Sequence, residues 1–322
     1  MPMPIASGKA FLTILRVLGR ALGTLRKIPI VDDVVCRVER TLLNPILIKV
    51  VGTPDDPDLD AALDIYRKRI PDDQRFEPAD IVRWIREDIV SRSAVGLLDW
   101  FLVAKYRRRV CGFILLHFHP SAQLAMMAYM AVAQTPGVQA NAISRELAAA
   151  ISKLIKTKRE LRDVKGFVLE VEDPRKEIGK RRQEECLARV RRFSTLTEMQ
   201  GFSLRAFDID YKQPKLSIDD STSTERPMLL LSARTRPADH TAVGYRVEAE
   251  EVLGFVYTMV YPEGYSSEPA ENLAYRDYCA ALLKREIAAL PAQVRLLNTA
   301  QLAAQLGKGK YKAGSHPSLN PA

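Results

Sequence analysis

The chain of 322 residues is 47% hydrophobic and 27% charged, a globular balance that excludes wholesale disorder. No run approaches the roughly 18–20 uninterrupted apolar residues of a membrane-spanning helix. Lys and Arg number 48 against 39 Asp and Glu, a net charge of +9 that favours anionic partners (nucleotide phosphates, anionic lipid, nucleic acid) without choosing among them.

The N-terminus reads as a basic amphipathic helix. Phe11, Ile14, Leu15, Leu18, Leu22 and Leu25 share one face, and Lys9, Arg16, Arg20 and Lys27 share the other, until Pro29 ends the pattern. Arg16 and Arg20 interrupt the apolar run, so it is a poor secretory signal. Docking on its own domain, contact of residues 9–27 with an anionic membrane surface, and a transit-type sequence are the three readings.

A strand is expected over Ile46–Val51, then a turn and helix start at Thr53–Asp58, where acidic residues suit the helix dipole. Helices follow over Leu59–Arg69 and Pro78–Ser91. Trp100–Lys105 and Val110–His117 form a hairpin about the polar Arg107–Arg109, and Gln123–Ala133 is a third strand, weak on propensity. A helix over Asn141–Lys158 buries Ile143, Leu147, Ile151, Leu154 and Ile155. Gly166–Val171 is a strand that Asp173-Pro174 breaks, and a polar helix over Lys176–Met199 is capped by Gly201. Strands over Leu204–Tyr211 and Met228–Ala233 flank a polar loop, and Val247–Val260 and Pro269–Leu290 read as helices. The order gives a mixed α/β domain, an α+β sheet with helical extensions at both ends. The expected boundaries are 1–45 (basic amphipathic extension), 46–236 (central domain), 237–306 (helical extension) and 307–322 (disordered tail).

The four cysteines, Cys36, Cys111, Cys186 and Cys279, are scattered, with no CxxC pair. They argue against a disulfide framework and a structural zinc site, and fit a reducing, cytoplasmic compartment. His117 and His119 share one strand face, but two histidines without a third ligand make a poor metal site. They read as structural residues, with lining a cleft as the alternative. Arg181, Arg182, Arg189, Arg191 and Arg192 read as a solvated helix face interleaved with Glu184 and Glu185. Helical packing accounts for Tyr257, Tyr261, Tyr265, Tyr275 and Tyr278 without a ligand. No zinc-finger spacing, RNP-type motif or P-loop occurs, so charge alone supports nucleic acid as a partner.

The informative stretch is Tyr129–Glu146, YMAVAQTPGVQANAISRE, in which a strand ends, a short loop follows and a helix starts. Unpaired N–H groups and a partial positive charge make a helix N-terminus a phosphate site, and close approach needs the small side chains found at Ala140, Asn141, Ala142 and Ser144. With the order of elements, this stretch resembles the GNAT N-acetyltransferase superfamily, whose Gln/Arg-x-x-Gly-x-Gly/Ala loop after the fourth strand holds the pyrophosphate of acetyl-CoA. Gln139, Ala140, Asn141, Ala142, Ile143 and Ser144 occupy that motif here; Gln139 matches it, while Ala142 and Ser144 stand where glycines are usual. Gly166–Pro174 resembles the fifth strand of bacterial members, and Arg191-Arg192-Phe193 with Gly201-Phe202 the helix end before the sixth. Tyr211–Leu216 with Pro227–Leu231 resembles a last hairpin, and the likeness spans Ile46–Arg236.

The resemblance implies a GNAT-like acyl-CoA N-acyltransferase fold in which an amine attacks the thioester of acetyl-CoA, or another acyl-CoA, directly and without a metal. The fourth and fifth strands would splay apart. The backbone of Met130, Ala131 and Val132 would pair with pantetheine, and an N–H, Val132 being nearest the loop, would polarise the carbonyl. Glu170 and Glu172 alternate onto one face of the fifth strand and are the candidate bases, Glu170 lying deeper. The resemblance also implies a tyrosine near Thr197 to protonate the departing thiolate, and no tyrosine occurs between Lys176 and Gln200. The alternative function is a non-catalytic CoA-binding or membrane-associated module of the same fold.

Overall fold

A computed structural model describes residues 46–86, 96–161, 163–217, 223–234, 245–262 and 269–307. The amphipathic pattern at the N-terminus and the tail after Gly307 lie outside them.

The chain enters the sheet as β1 (Ile46–Val51) and turns into α1 (Pro57–Arg69). Asp56 caps that helix by accepting from the Asp58 amide, and Pro57 sits in the first turn, where a missing N–H loses no bond. The helix therefore starts two residues before the expected Leu59. After α2 (Pro78–Arg86) come β2 (Leu98–Tyr106) and β3 (Arg109–His119). Their connection is tighter than expected. Only Arg107 and Arg108 remain outside the strands, both at positive φ (48° and 69°), the primed turn that suits strand twist.

β4 (Leu124–Val132) leads into α3 (Ala140–Thr157), and β5 (Gly166–Glu172) into α4 (Lys180–Glu198). β6 (Ser203–Phe207), β7 (Lys212–Gln213) and β8 (Arg226–Arg234) follow. The expected strand Leu204–Tyr211 stops at Phe207. The Asp208 amide donates to the Arg295 carbonyl, and its carboxylate pairs with Arg175 where the strand ends. α5 (Arg246–Phe255) runs on through a π-helical turn, Val256–Val260, and α6 (Pro269–Ala289) returns. β9 (Leu296–Leu297) and α7 (Thr299–Gly307), absent from the sequence reading, close the described chain.

The sheet order is β1-β2-β3-β4-β5-β8-β6-β9, with β7 pairing β8. β4 and β5 are parallel, and the pairs β2–β3, β3–β4, β5–β8 and β6–β8 are antiparallel. One face carries α1, α2, α5 and α6 around a common core that includes Tyr66, Trp84, Phe113, Tyr211, Leu253, Tyr257 and Tyr275. Phe101 and Phe113 stack within it at a centroid distance of 5.4 Å, and burying each ring contributes about 1.5–3 kcal/mol. The C-terminal helices thus share the core of the sheet rather than extending from it. On α3, Ile143, Leu147, Ile151 and Leu154 are buried as the spacing predicts. Gly112 of β3 lets α3 approach, since a Cβ there would lie 3.0 Å from both the Ala131 carbonyl oxygen and Ile143 Cγ2.

Candidate functional site

The site begins with an irregularity in β4. Leu115 of β3 faces Tyr129 and Leu116 faces Met127, so Ala128 has no partner and bulges. Pairing with β5 runs from Leu124↔Gly166 to Met127↔Leu169 and stops there. Both strands continue, β4 to Val132 and β5 to Glu172, but apart from each other. The result is a gap in the sheet just past the bulge.

The hydrogen-bond pattern says which peptides face this gap. The Ala133 amide donates to the Cys111 carbonyl at 2.9 Å. Antiparallel alternation then commits the peptide groups of Ala131 and Tyr129 to β3 and turns those of Met130 and Val132 toward the gap. Ala131, expected to pair with pantetheine, is therefore a spacer in that edge; Met130 and Val132 carry its free donors and acceptors.

The loop after β4 is a turn of type II character. The Val138 amide donates to the Thr135 carbonyl, Pro136 is the first central residue, and Gly137 has φ +84°. Tyr106 Oη donates to the Gly137 carbonyl at 3.0 Å and pins the turn to the end of β2. Gln139 then begins α3, its side chain making no cap. The amides of Ala142 and Ile143 both donate to the Gln139 carbonyl, whereas those of Ala140 and Asn141 have no acceptor in the first turn. Ile143 and Ser144 are buried beneath this turn, and Gln139, Ala140 and Asn141 are exposed. The segment 139–144 thus divides into two free donors, a core anchor and a small-residue approach.

The candidate bases part company. Glu170 is half-buried. Tyr211 Oη donates to its Oε1, and Tyr261 Oη (2.6 Å) and Gln213 Nε2 (3.2 Å) donate to its Oε2. Burial raises the Glu170 pKa above the ordinary carboxylate value, and the three hydrogen bonds oppose that rise. Burial and the neighbouring carboxylate hold Tyr211 and Tyr261 well above the usual phenol value, so both remain donors. Glu172 is 8% exposed and held by Arg182 and Arg189 of α4. The last residue of β5 is thus paired with the helix that follows, whereas Glu170 is bonded to Tyr211, Gln213 and Tyr261.

Tyr261 is the residue that sequence reading missed. It was assigned to helix packing, yet the π turn sets both Tyr257 and Tyr261 against the sheet, with Tyr257 Oη donating to the Lys212 carbonyl. The cluster of tyrosines over 257–278 was the available signal; nothing local tied it to Glu170.

His117 and His119 are both buried and hydrogen-bonded. His117 Nδ1 lies 2.5 Å from Asp99 Oδ1, with Trp84 edge-on to its ring, and His119 pairs with Ser121 at 2.9 Å. Among the described residues no group of three or more His, Cys, Asp or Glu could hold a metal ion, and no helix is long and apolar enough to cross a membrane. Thr197 Oγ1 is spent on its own helix, donating to the Phe193 and Ser194 carbonyls at 3.0 Å.

A bulged β4, a parallel β4–β5 pair that splays, and a helix N-terminus beyond the splayed strand form the arrangement that the sequence resemblance implies. The fold is GNAT-like. No family model matches the chain, and no curated protein matches it in sequence. Among solved structures it is similar to a GNAT-family protein from Bacteroides thetaiotaomicron, at 15% identity over 67% of this chain and 98% of that one, TM-score 0.43. It is also similar to a diaminobutyrate acetyltransferase from Paenibacillus lautus, at 15% identity over 60% and 96%, TM-score 0.38. An aminoglycoside 6'-N-acetyltransferase from Enterococcus faecium aligns at 13% identity over 59% and 98%, TM-score 0.38.

Proposed function

We propose that the protein is an acyl-CoA-dependent N-acyltransferase that moves an acyl group from CoA to a primary amine by direct attack. The observation that carries this reading is the free edge of Met130 and Val132, continuous along the chain with the unused amides of Ala140 and Asn141. An extended amide-bearing arm ending in a diphosphate matches that sequence of donors.

The thioester supplies an activated acyl carbon. The Met130 or Val132 N–H stabilises negative charge on the carbonyl oxygen as the amine nitrogen bonds to that carbon. Glu170 takes the amine proton, directly or through a water. Its raised pKa makes it a stronger base than an exposed carboxylate. The C–S bond then breaks and the thiolate departs. Thr197, already bonded to its own helix, is a poor acid for it.

Calorimetry with acetyl-CoA, followed by turnover with a panel of amines, tests the reading. Binding without turnover would favour the non-catalytic module, which Thr197 at the expected tyrosine position also favours; absence of binding would end both. The double variant Gln139→Ala, Ala142→Asp should weaken CoA binding about tenfold or more, since a carboxylate would oppose the diphosphate at the positive helix end. Unchanged affinity would refute the loop assignment. Tyr261→Phe removes a donor that lowers the Glu170 pKa. The rising limb of the pH–rate profile should therefore move to higher pH; a limb that stays in place would separate Tyr261 from the base.

A further inference from the structure

Beside the gap lies a small, open-mouthed pocket on the α3–α4 face of the sheet, with a cavity volume of about 30 Å³. Its walls include Met127 and Met130 of β4, Phe167 of β5, Ala148 and Ile151 of α3, and Phe193 of α4. We propose that this pocket takes the aliphatic chain of the acyl donor, and that the protein therefore prefers acyl groups a few carbons longer than acetyl. The proposal rests on the acyl-CoA reading above and specifies its donor.

The bulge produces the pocket's position. Met127 and Met130 are three residues apart, so a regular strand would turn them to opposite faces. With Ala128 extruded, both line the same pocket. Met127 is also the last β4 residue paired with β5, and Met130 the first whose peptide faces the gap. A carbonyl held at the Met130 edge would have the mouth of the pocket beside it. Glu170 is bonded to Tyr211 and Tyr261, both in the core of the opposite face, so the pocket and the candidate base lie on opposite sides of the sheet.

The lining selects hydrocarbon. Thr197, one of its few polar residues, has its hydroxyl committed to helix carbonyls. Ordered water needs two to four polar partners, and an apolar cavity without them stays dry and binds apolar groups. The two methionines give the wall side chains that adapt to chains of different shape. Filling the space where the family resemblance implies a tyrosine with an acyl chain would also give Thr197 a physical rationale.

The test is calorimetric titration of the full chain with CoA, acetyl-CoA, butyryl-CoA and hexanoyl-CoA. Burying two further methylenes should make butyryl-CoA bind about tenfold more tightly than acetyl-CoA. Ala148→Phe, which fills the pocket, should bring butyryl-CoA back to the affinity of acetyl-CoA. If CoA and acetyl-CoA bind and affinity is flat or falls with chain length, the pocket is a packing void and the proposal is overturned, with the acyl-CoA reading intact. If no CoA species binds, both fall. The wild-type chain-length series decides the matter even if Ala148→Phe fails to fold.

Discussion

Glu170→Gln should lower kcat/KM for the amine about 100-fold or more, the usual contribution of a positioned general base. Glutamine keeps the size and accepts a hydrogen bond from Tyr211 or Tyr261, so the local packing survives, but it cannot take a proton. The pH profile separates this from a structural effect. In the wild-type chain, activity should rise as pH climbs through the raised Glu170 pKa and the carboxylate ionises. The variant should lack that limb and keep only the dependence due to the amine itself. Steady-state rates over a pH series measure both effects; a variant within about threefold of wild type would remove Glu170 from the mechanism.

The second large effect is on stability. Arg175 lies three residues beyond the end of β5 and is 4% exposed. Its Nε and Nη2 donate to the two oxygens of Asp173 at 2.9 Å each, and its Nη1 donates to Asp208 at 2.7 Å. The Asp173 carboxylate also accepts from the Arg175 amide at 2.9 Å, and Arg295 reaches Asp208 from the other side. Arg175→Met should destabilise the fold by about 3–5 kcal/mol, because it leaves Asp173 buried without its cation. Urea unfolding followed by fluorescence would show it as a lower midpoint at unchanged slope. A loss below about 1 kcal/mol, the range of exposed pairs, would show that the network is solvated. The network ties the end of β5 to the end of β6, so it also fixes one wall of the gap. Asp208→Asn, which keeps the size and removes the charge, should weaken CoA binding; unchanged affinity would show that this wall plays no part.

Periodicity carried much of the fold into view. Ile143, Leu147 and Ile151 recur at helical spacing because α3 buries one stripe, and that pattern is local. Asp56 and Pro57 mark the start of α1 for the same reason. What the reading lacked were contacts set from far along the chain. Arg175 and Arg295 meet Asp208 where β6 ends, contacts set from elsewhere in the chain. Arg182 and Arg189 pair with Glu172, a contact that strand alternation does not encode. The segment 139–144 was legible as a helix start with small side chains, because that pattern is local.

The amino-acid order alone fixed the strand–loop–helix unit and placed a carboxylate on the fifth strand, since both follow from spacing within a few residues. Only the tertiary structure decided that β4 and β5 part after Met127 and Leu169, that Met130 and Val132 rather than Ala131 face the opening, and that Tyr211, Gln213 and Tyr261 close on Glu170. The partners in those last contacts lie 41 to 91 residues apart, and no pattern within a strand or helix encodes which distant side chain will meet it.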